Sequence, residues 1–279
     1  MIVNTRKMLL DAKRKNKCVF HFNINNLEWT KYILEECDEL NIPVIIGVSE
    51  GAIKYMGGYF VVASLVKALD RDLKIKVPVA IHLDHGSSYD SCKKAINAGF
   101  TSVMIDASHL EYKENVKETK RVVDYAHRRK VTVEAEIGHV GGIEDGKASS
   151  VLVTTFEDCR LFVKDTNIDS LAPAIGTVHG IYKGELNIDY DLIEECNKGL
   201  KVPLVMHGGS GLDNKTIRKC VKCGINKINV NSDIQAAWHE DVLKFVENNK
   251  NVYDPRKVIG SGEDAIKRTV KEKYNIIGG

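Results

Sequence analysis

The sequence predicts an α/β protein in which eight strand-then-helix units close into one parallel barrel. Three observations carry that prediction. Short apolar runs alternate with helical patterns along the chain, polar residues gather where each run ends, and a length of 279 residues suits one such barrel. Right-handed connections between successive parallel strands bring the units round into a closed cylinder, with a doubly wound open sheet as the other topology the pattern allows. The count of eight predicts one domain over residues 1–279, with a C-terminal helical extension.

Cys18-Val-Phe-His-Phe22 reads as the first strand. Asn25-Asn26 then caps a helical pattern to Leu40, with Trp29, Ile33, Leu34 and Cys37 on one face. Pro43 precedes the second strand, 44–48, and Ser49-Glu-Gly51 leads into helical segments ending near Asp70. Pro78 opens the third, which ends in Asp84-His-Gly-Ser-Ser88 and a helix stopped by Gly99. Residues 102–105 form the fourth, closing on Asp106-Ala-Ser-His109, and a charged helix from Glu114 to Arg129 leads to the fifth, 131–136. Residues 138–154 are the one long irregular connection, the kind that in a compact domain is either a functional lid or disordered. After a helix from Thr155 to Asp165 come strand six at 170–175, the loop Gly176-Thr-Val-His-Gly180 and a helix from Tyr190 to Lys198. Strand seven is 203–206, followed by His207-Gly-Gly-Ser-Gly211 and a helix capped by Asp213 that runs to Cys223. Strand eight is 227–230, and Asn231-Ser-Asp233 opens a helix to Asn248. Tyr253-Asp-Pro-Arg-Lys257 and a closing helix to Lys273 remain outside the eight units, to pack under the barrel or reach a neighbouring subunit.

Composition narrows the function. Forty basic against 38 acidic residues leave a net charge of +2, and no long like-charge block calls for nucleic acid or an anionic membrane. The N-terminus lacks the apolar run of a signal peptide, and no stretch is long and apolar enough to span a bilayer, so a cytoplasmic location is expected. Seven scattered cysteines suit a reducing compartment. Cys220 and Cys223, the only CxxC, read as small buried residues at a helix end.

Collecting the polar residues at strand ends gives Ser49, Asp84-His85, Asp106, Glu134, Glu136, His179, His207 and Asn229 with Asn231-Ser232. His85, His179 and His207 come from strands three, six and seven. Three neutral imidazoles meeting at one point make a catalytic zinc site with an open position. Asp84 beside His85 suits proton transfer at such a site. His82 alternates away from His85 as a packed or supporting group, and His109, His127 and His239 default to the surface. The glycine-rich loops after strands seven and eight occupy the place where barrels bind phosphate, and Gly176–Gly180 with Lys183 extends that cradle. Glu144-Asp145, flanked by glycines on the long connection, reads either as a base carried on a lid or as a solvated charge pair. No lysine is among these collected strand-end residues.

Together these stretches resemble the class II, metal-dependent ketose-bisphosphate aldolases, most closely the shorter bacterial fructose-1,6-bisphosphate type. The resemblance rests on Gly47-Val-Ser-Glu-Gly51 with Tyr55-Met-Gly-Gly58, Ala80-Ile-His-Leu-Asp-His-Gly-Ser-Ser88, Ser102-Val-Met-Ile-Asp-Ala-Ser-His109 and Val133-Glu-Ala-Glu-Ile-Gly138 with Gly141-Gly-Ile-Glu-Asp-Gly146. It continues through Val178-His-Gly180, Tyr182-Lys-Gly184, His207-Gly-Gly-Ser-Gly211, Lys227-Ile-Asn-Val-Asn231 and Tyr253-Asp-Pro-Arg256. It implies catalytic zinc on His85, His179 and His207, with Asp106 and Glu136 at a second or displaced metal position. It implies Asp84 as acid/base at the C4 hydroxyl and Glu144 as the base exchanging the C3 proton. Gly180, Lys183, Gly208, Gly209, Ser210, Asn229, Val230, Asn231 and Ser232 would hold the dihydroxyacetone phosphate end, with a monovalent cation (Na⁺ or K⁺) nearby. Ser49 and Arg256 would take the far phosphate, the arginine from a partner in a homodimer or homotetramer.

Tagatose-1,6-bisphosphate aldolases and the 6-phospho-5-dehydro-2-deoxy-gluconate aldolase of inositol catabolism share these motifs. Asn-Val-Asn-Ser at 229–232 leans toward fructose, whereas Phe22-Asn-Ile-Asn25 with Trp29 leans toward the inositol enzyme. Two readings of other classes stand beside them: a metal-dependent barrel hydrolase, which needs no mobile Glu144, and a non-catalytic binding protein.

Overall fold

A computed structural model describes residues 1–138, 141–144, 147–149, 154–179 and 187–277, with side chains at all of these except 141–144, 147–149 and 179. In chain order the elements are α1 (Thr5–Arg14), β1 (Val19–Asn23), α2 (Leu27–Glu39), β2 (Val44–Ser49), α3 (Glu50–Tyr55), α4 (Tyr59–Asp72), β3 (Val79–Gly86), α5 (Tyr89–Ala98), β4 (Ser102–Ile105) and α6 (Tyr112–His127). Next come β5 (Thr132–Ile137), β6 (Gly141–Glu144), β7 (Lys147–Ser149), α7 (Phe156–Thr166), β8 (Ser170–Pro173), β9 (Val178–His179) and α8 (Tyr190–Gly199). The last are β10 (Leu204–Met206), α9 (Asn214–Cys223), β11 (Ile225–Val230), α10 (Ser232–Asn248), α11 (Pro255–Gly260) and α12 (Glu263–Ile276).

Eight strands close in the order β1-β11-β10-β8-β5-β4-β3-β2, every pairing parallel. The predicted (β/α)8 TIM barrel is therefore present, and the open sheet is excluded. Local chemistry sets the boundaries. Asn26 accepts from the Trp29 amide at 2.9 Å to start α2, Asp213 accepts from Thr216 at 2.9 Å to start α9, and Gly99 ends α5 in the left-handed region at φ +99°. Trp29, Ile33, Leu34 and Cys37 of α2 all face the barrel wall and are buried. Each such side chain contributes about 1.5–3 kcal/mol of transfer free energy.

Three features differ from the expectation. Residues 5–14 form a helix, α1, that closes the N-terminal mouth of the barrel. Met8, Leu9 and Ala12 pack on Val19, Ile45 and Ala80, and the Thr5 hydroxyl lies 2.8 Å from that of Thr132. The closing helix α12 lies beside the barrel rather than beneath it, against α2 and α10. The long connection is not wholly irregular: β6 and β7 pair as an antiparallel hairpin, and β6 also pairs in parallel with β9 through Gly142 and His179. All seven cysteines are buried free thiols, as their positions suggested. Among the described residues, no helix is long and apolar enough to cross a membrane.

Candidate active site

Polar side chains gather at the C-terminal ends of the barrel strands. β3 delivers Asp84 and His85 beside a register shift between Leu83 and Gly86. His85 sits at φ +46°, a left-handed conformation that costs a non-glycine residue about 1–2 kcal/mol and persists where surrounding contacts hold it. One such contact is Asp106 Oδ2, 2.8 Å from His85 Nδ1. Burial alone would raise the Asp106 carboxyl, but His85 and the Ser108 hydroxyl and amide outweigh it and hold the group ionised.

Asp84 is only 2% exposed, and both its oxygens are held by amides. Asn23 Nδ2 donates to Oδ2 at 2.8 Å, and Asn229 Nδ2 donates to Oδ1 at 3.1 Å. Burial opposes ionisation of this carboxyl, yet His21, His85, His207 and Lys227 around it hold it well below the usual carboxylate range. The sequence reading missed Asn23; its signal was a polar residue two positions past His21, on the same strand face.

His207 follows β10. Its Nε2 lies 3.0 Å from Glu134 Oε1 on β5, and its ring meets that of His85 edge to face at 4.6 Å between centroids. Burial, then the neighbouring His85, push its pKa down, so the imidazole is neutral near pH 7. Glu134, expected at a strand end, lies one layer deeper, where Lys227 Nζ sits 2.9 Å from each of its carboxylate oxygens. Lys227 is the lysine the sequence reading overlooked, mid-strand on β11 and fully buried.

Two donor sets emerge. Ligand atoms of Asp84, His85 and His207 lie within 4.8 Å of one another, and so do those of His85, Asp106 and Glu136. His179 falls on β9, and Glu144 ends β6, with both side chains outside the described residues; Gly180 and Lys183 lie outside them altogether.

The loops after β10 and β11 form a second region. Gly208 takes φ +69°, and a Cβ there would lie 2.2 Å from the Val178 carbonyl oxygen, so only glycine fits. Ser210 Oγ accepts from the Asn231 amide at 3.1 Å and the Asp233 amide at 3.4 Å, binding this loop to the start of α10, where Asn231 is the N-cap and Ser232 the first helical residue. Gly209 N donates to Asn229 O at 3.2 Å. A 17-residue helix N-terminus facing a glycine loop suits a phosphate. The Val230 side chain points into the outer core, so only its backbone can face this region. Ser49 caps α3, accepting from the Ala52 amide at 3.3 Å. Arg256 is exposed on α11 and paired with Asp254 at 2.8 Å.

The sequence model of the family described as fructose-bisphosphate aldolase class-II matches residues 3–279. The chain belongs to this family. Fructose-bisphosphate aldolases of Staphylococcus aureus and Geobacillus stearothermophilus are 50% and 51% identical to it over 278 residues, 99% of this chain and 97% of theirs. Among solved structures, the YdjI aldolase from Escherichia coli K12 superposes with a TM-score of 0.87 at 29% identity, covering 100% of this chain and 98% of that one. The fructose-bisphosphate aldolase from Campylobacter jejuni shares the fold, with a TM-score of 0.82 at 24% identity over 99% and 95%.

The family is metal-dependent, and the residues present fit a divalent ion. Neutral imidazole and carboxylate oxygen are its ordinary ligands, and both donor sets combine them at the open end of the barrel.

Proposed function

We propose that this family member reversibly cleaves fructose 1,6-bisphosphate to dihydroxyacetone phosphate and glyceraldehyde 3-phosphate. The reading rests on one observation: Asp84, His85 and His207 converge at the barrel mouth next to the Gly208–Ser210 loop and the start of α10. A carboxylate, a metal-binding pair and an anion cradle side by side are what a phosphorylated ketose needs.

Zinc held by His85, His179 and His207, with Asp106 and Glu136 as a second position, would supply the Lewis acidity that stabilises charge developing on the ketone half. The chain's own groups do the rest. Asp84, ionised and aligned by Asn23 and Asn229, takes the C4 hydroxyl proton during cleavage and returns it during condensation. Glu144 exchanges the C3 proton. Gly180, Lys183, Gly208, Gly209, Ser210, Asn229, the Val230 backbone, Asn231 and Ser232 bind the dihydroxyacetone phosphate end, with Na⁺ or K⁺ beside them. Ser49 and a partner's Arg256 bind the far phosphate in a homodimer or homotetramer. Residues 1–279 form one domain, and the cytoplasm is its compartment.

Kinetics on zinc-loaded protein with fructose and tagatose 1,6-bisphosphates test the reading. A higher kcat/KM for fructose is expected; a preference for tagatose would reassign the substrate. EDTA should abolish cleavage, and borohydride with substrate should not, because Lys227 Nζ is buried and ion-paired with Glu134. The opposite pattern would replace the metal mechanism with a Schiff base.

A further inference from the structure

The centre of this barrel holds an ion pair that the reaction above does not use. Glu134 and Lys227 project inward from β5 and β11, and neither is exposed by more than 2%. Replacing such a pair with apolar residues of similar size is often neutral or stabilising, so stability alone does not account for it. Its geometry points upward, to the imidazole resting on it.

We propose that Glu134 and Lys227 act as a positioning unit that fixes His207 as its Nε2–H tautomer and turns Nδ1 toward the cluster of Asp84 and His85. The proposal rests on the reading of His207 as a metal ligand, and four contacts carry it. Glu134 Oε1 lies 3.0 Å from His207 Nε2, and an ionised carboxylate only accepts, so the ring proton must sit on Nε2. Lys227 Nζ lies 2.9 Å from both oxygens of Glu134, which keeps that carboxylate ionised and fixes its orientation. On the other side of the ring, Asn229 Nδ2 lies 3.3 Å from Nδ1 and 3.1 Å from Asp84 Oδ1. An amide oxygen turned toward Asp84 would repel it, so the Asn229 nitrogen faces both groups and, without metal, donates to the one lone pair of Nδ1, a bond that a metal ion would displace.

Two bonds on opposite sides of one ring thus select the same tautomer, leaving the Nδ1 lone pair on the side of Asp84. β8 makes this possible. It lies between β5 and β10, and it places the small Ser170 in register with Glu134, so the Glu134 side chain can lean across the barrel to reach His207. The same contacts bar Lys227 from nucleophilic work: a buried ammonium pinned by two carboxylate oxygens has no free lone pair.

The first test needs no variant. In metal-free wild-type protein labelled with ¹⁵N-histidine, two-bond ¹H–¹⁵N correlation should show His207 protonated at Nε2, with a slowly exchanging proton. Protonation at Nδ1 would overturn the proposal. The second uses Glu134→Leu/Lys227→Met, which removes both charges together and so leaves no unpaired ion in the core. The tautomer preference should be lost in this variant, and zinc affinity, measured by competition with a chromogenic chelator, should fall about 10–100-fold. An unchanged tautomer with affinity within about twofold of wild type would also overturn it. Zinc titration of the wild type separates the two readings: if the His207 ring signals do not move, His207 is not a ligand and the site assignment fails, while the Nε2 proton still decides the tautomer.

Discussion

Replacing Gly47 by alanine puts a methyl group where a histidine ring already lies. Gly47 is on β2, and a Cβ there would fall 1.2 Å from His21 Nε2, 2.1 Å from Cδ2 and 2.4 Å from Cε1. Ordinary carbon contacts need about 3.5–4.0 Å, so the ring would have to retreat by about 2 Å. It has nowhere to go: His21 is fully buried inside the closed barrel, edge to face with His82 at 5.4 Å. Overpacking costs about 1–3 kcal/mol, and a trapped ring places Gly47→Ala at the upper end, about 3 kcal/mol. That corresponds to a fall of roughly 6–12 °C in Tm. Thermal and denaturant melts of Gly47→Ala, His21→Ala and the double variant form the assay. The double variant should be more stable than Gly47→Ala alone, with a coupling of about 2–3 kcal/mol. Because His21 Nε2 is 4.0 Å from Asp84 Oδ2, kcat should drop in Gly47→Ala as the displaced ring disturbs that carboxylate, and the double variant, which lacks the ring altogether, should regain stability without regaining kcat. Effects additive within about 0.5 kcal/mol would refute the reasoning, since the methyl would then not be meeting the ring.

Asp84→Ala should lower kcat by about 10²–10⁴-fold while binding of dihydroxyacetone phosphate changes far less; equal losses in both would count against an acid/base role. Burial depresses the His21 pKa from 6.5 to about 4, so the unfolded chain takes up this proton before the folded one does. Stability is therefore full above the unfolded value and declines as pH falls toward 4, by about 1.4 kcal/mol per unit and about 3 kcal/mol in total. His82, also held down by burial, steepens the same slope. Urea midpoints of wild type and His21→Gln between about pH 7 and about pH 4.5 should show a shallower decline in the variant, and parallel declines would remove His21 from the account.

The strands were legible because each is an apolar run bracketed by proline, glycine or a cap, and those signals act locally. Helix α1 was not, because Met8, Leu9 and Ala12 become a core only against Val19, Ile45 and Ala80 of three separate strands. Asp84, His85 and His207 could be collected because all three stand at strand ends, and the structure brings them together. Apolar runs placed His21 and Lys227 within strands, but a run does not say which of its side chains face the barrel interior. Nor can it pair residue 227 with residue 134, a contact between strands that are not neighbours. The role of Asn23 and the contact at Gly47 were hidden for the same reason: what matters at each is a side chain from another strand.

The small sheet of β7, β6 and β9 stands apart from the cylinder, yet it joins the backbone bearing Glu144 to the backbone bearing His179. Two excursions separated by a helix and a barrel strand are thereby one mechanical part. Insertions or deletions in either must respect the other's register, and transplanting one into a different barrel without its companion would leave half a ladder unpaired.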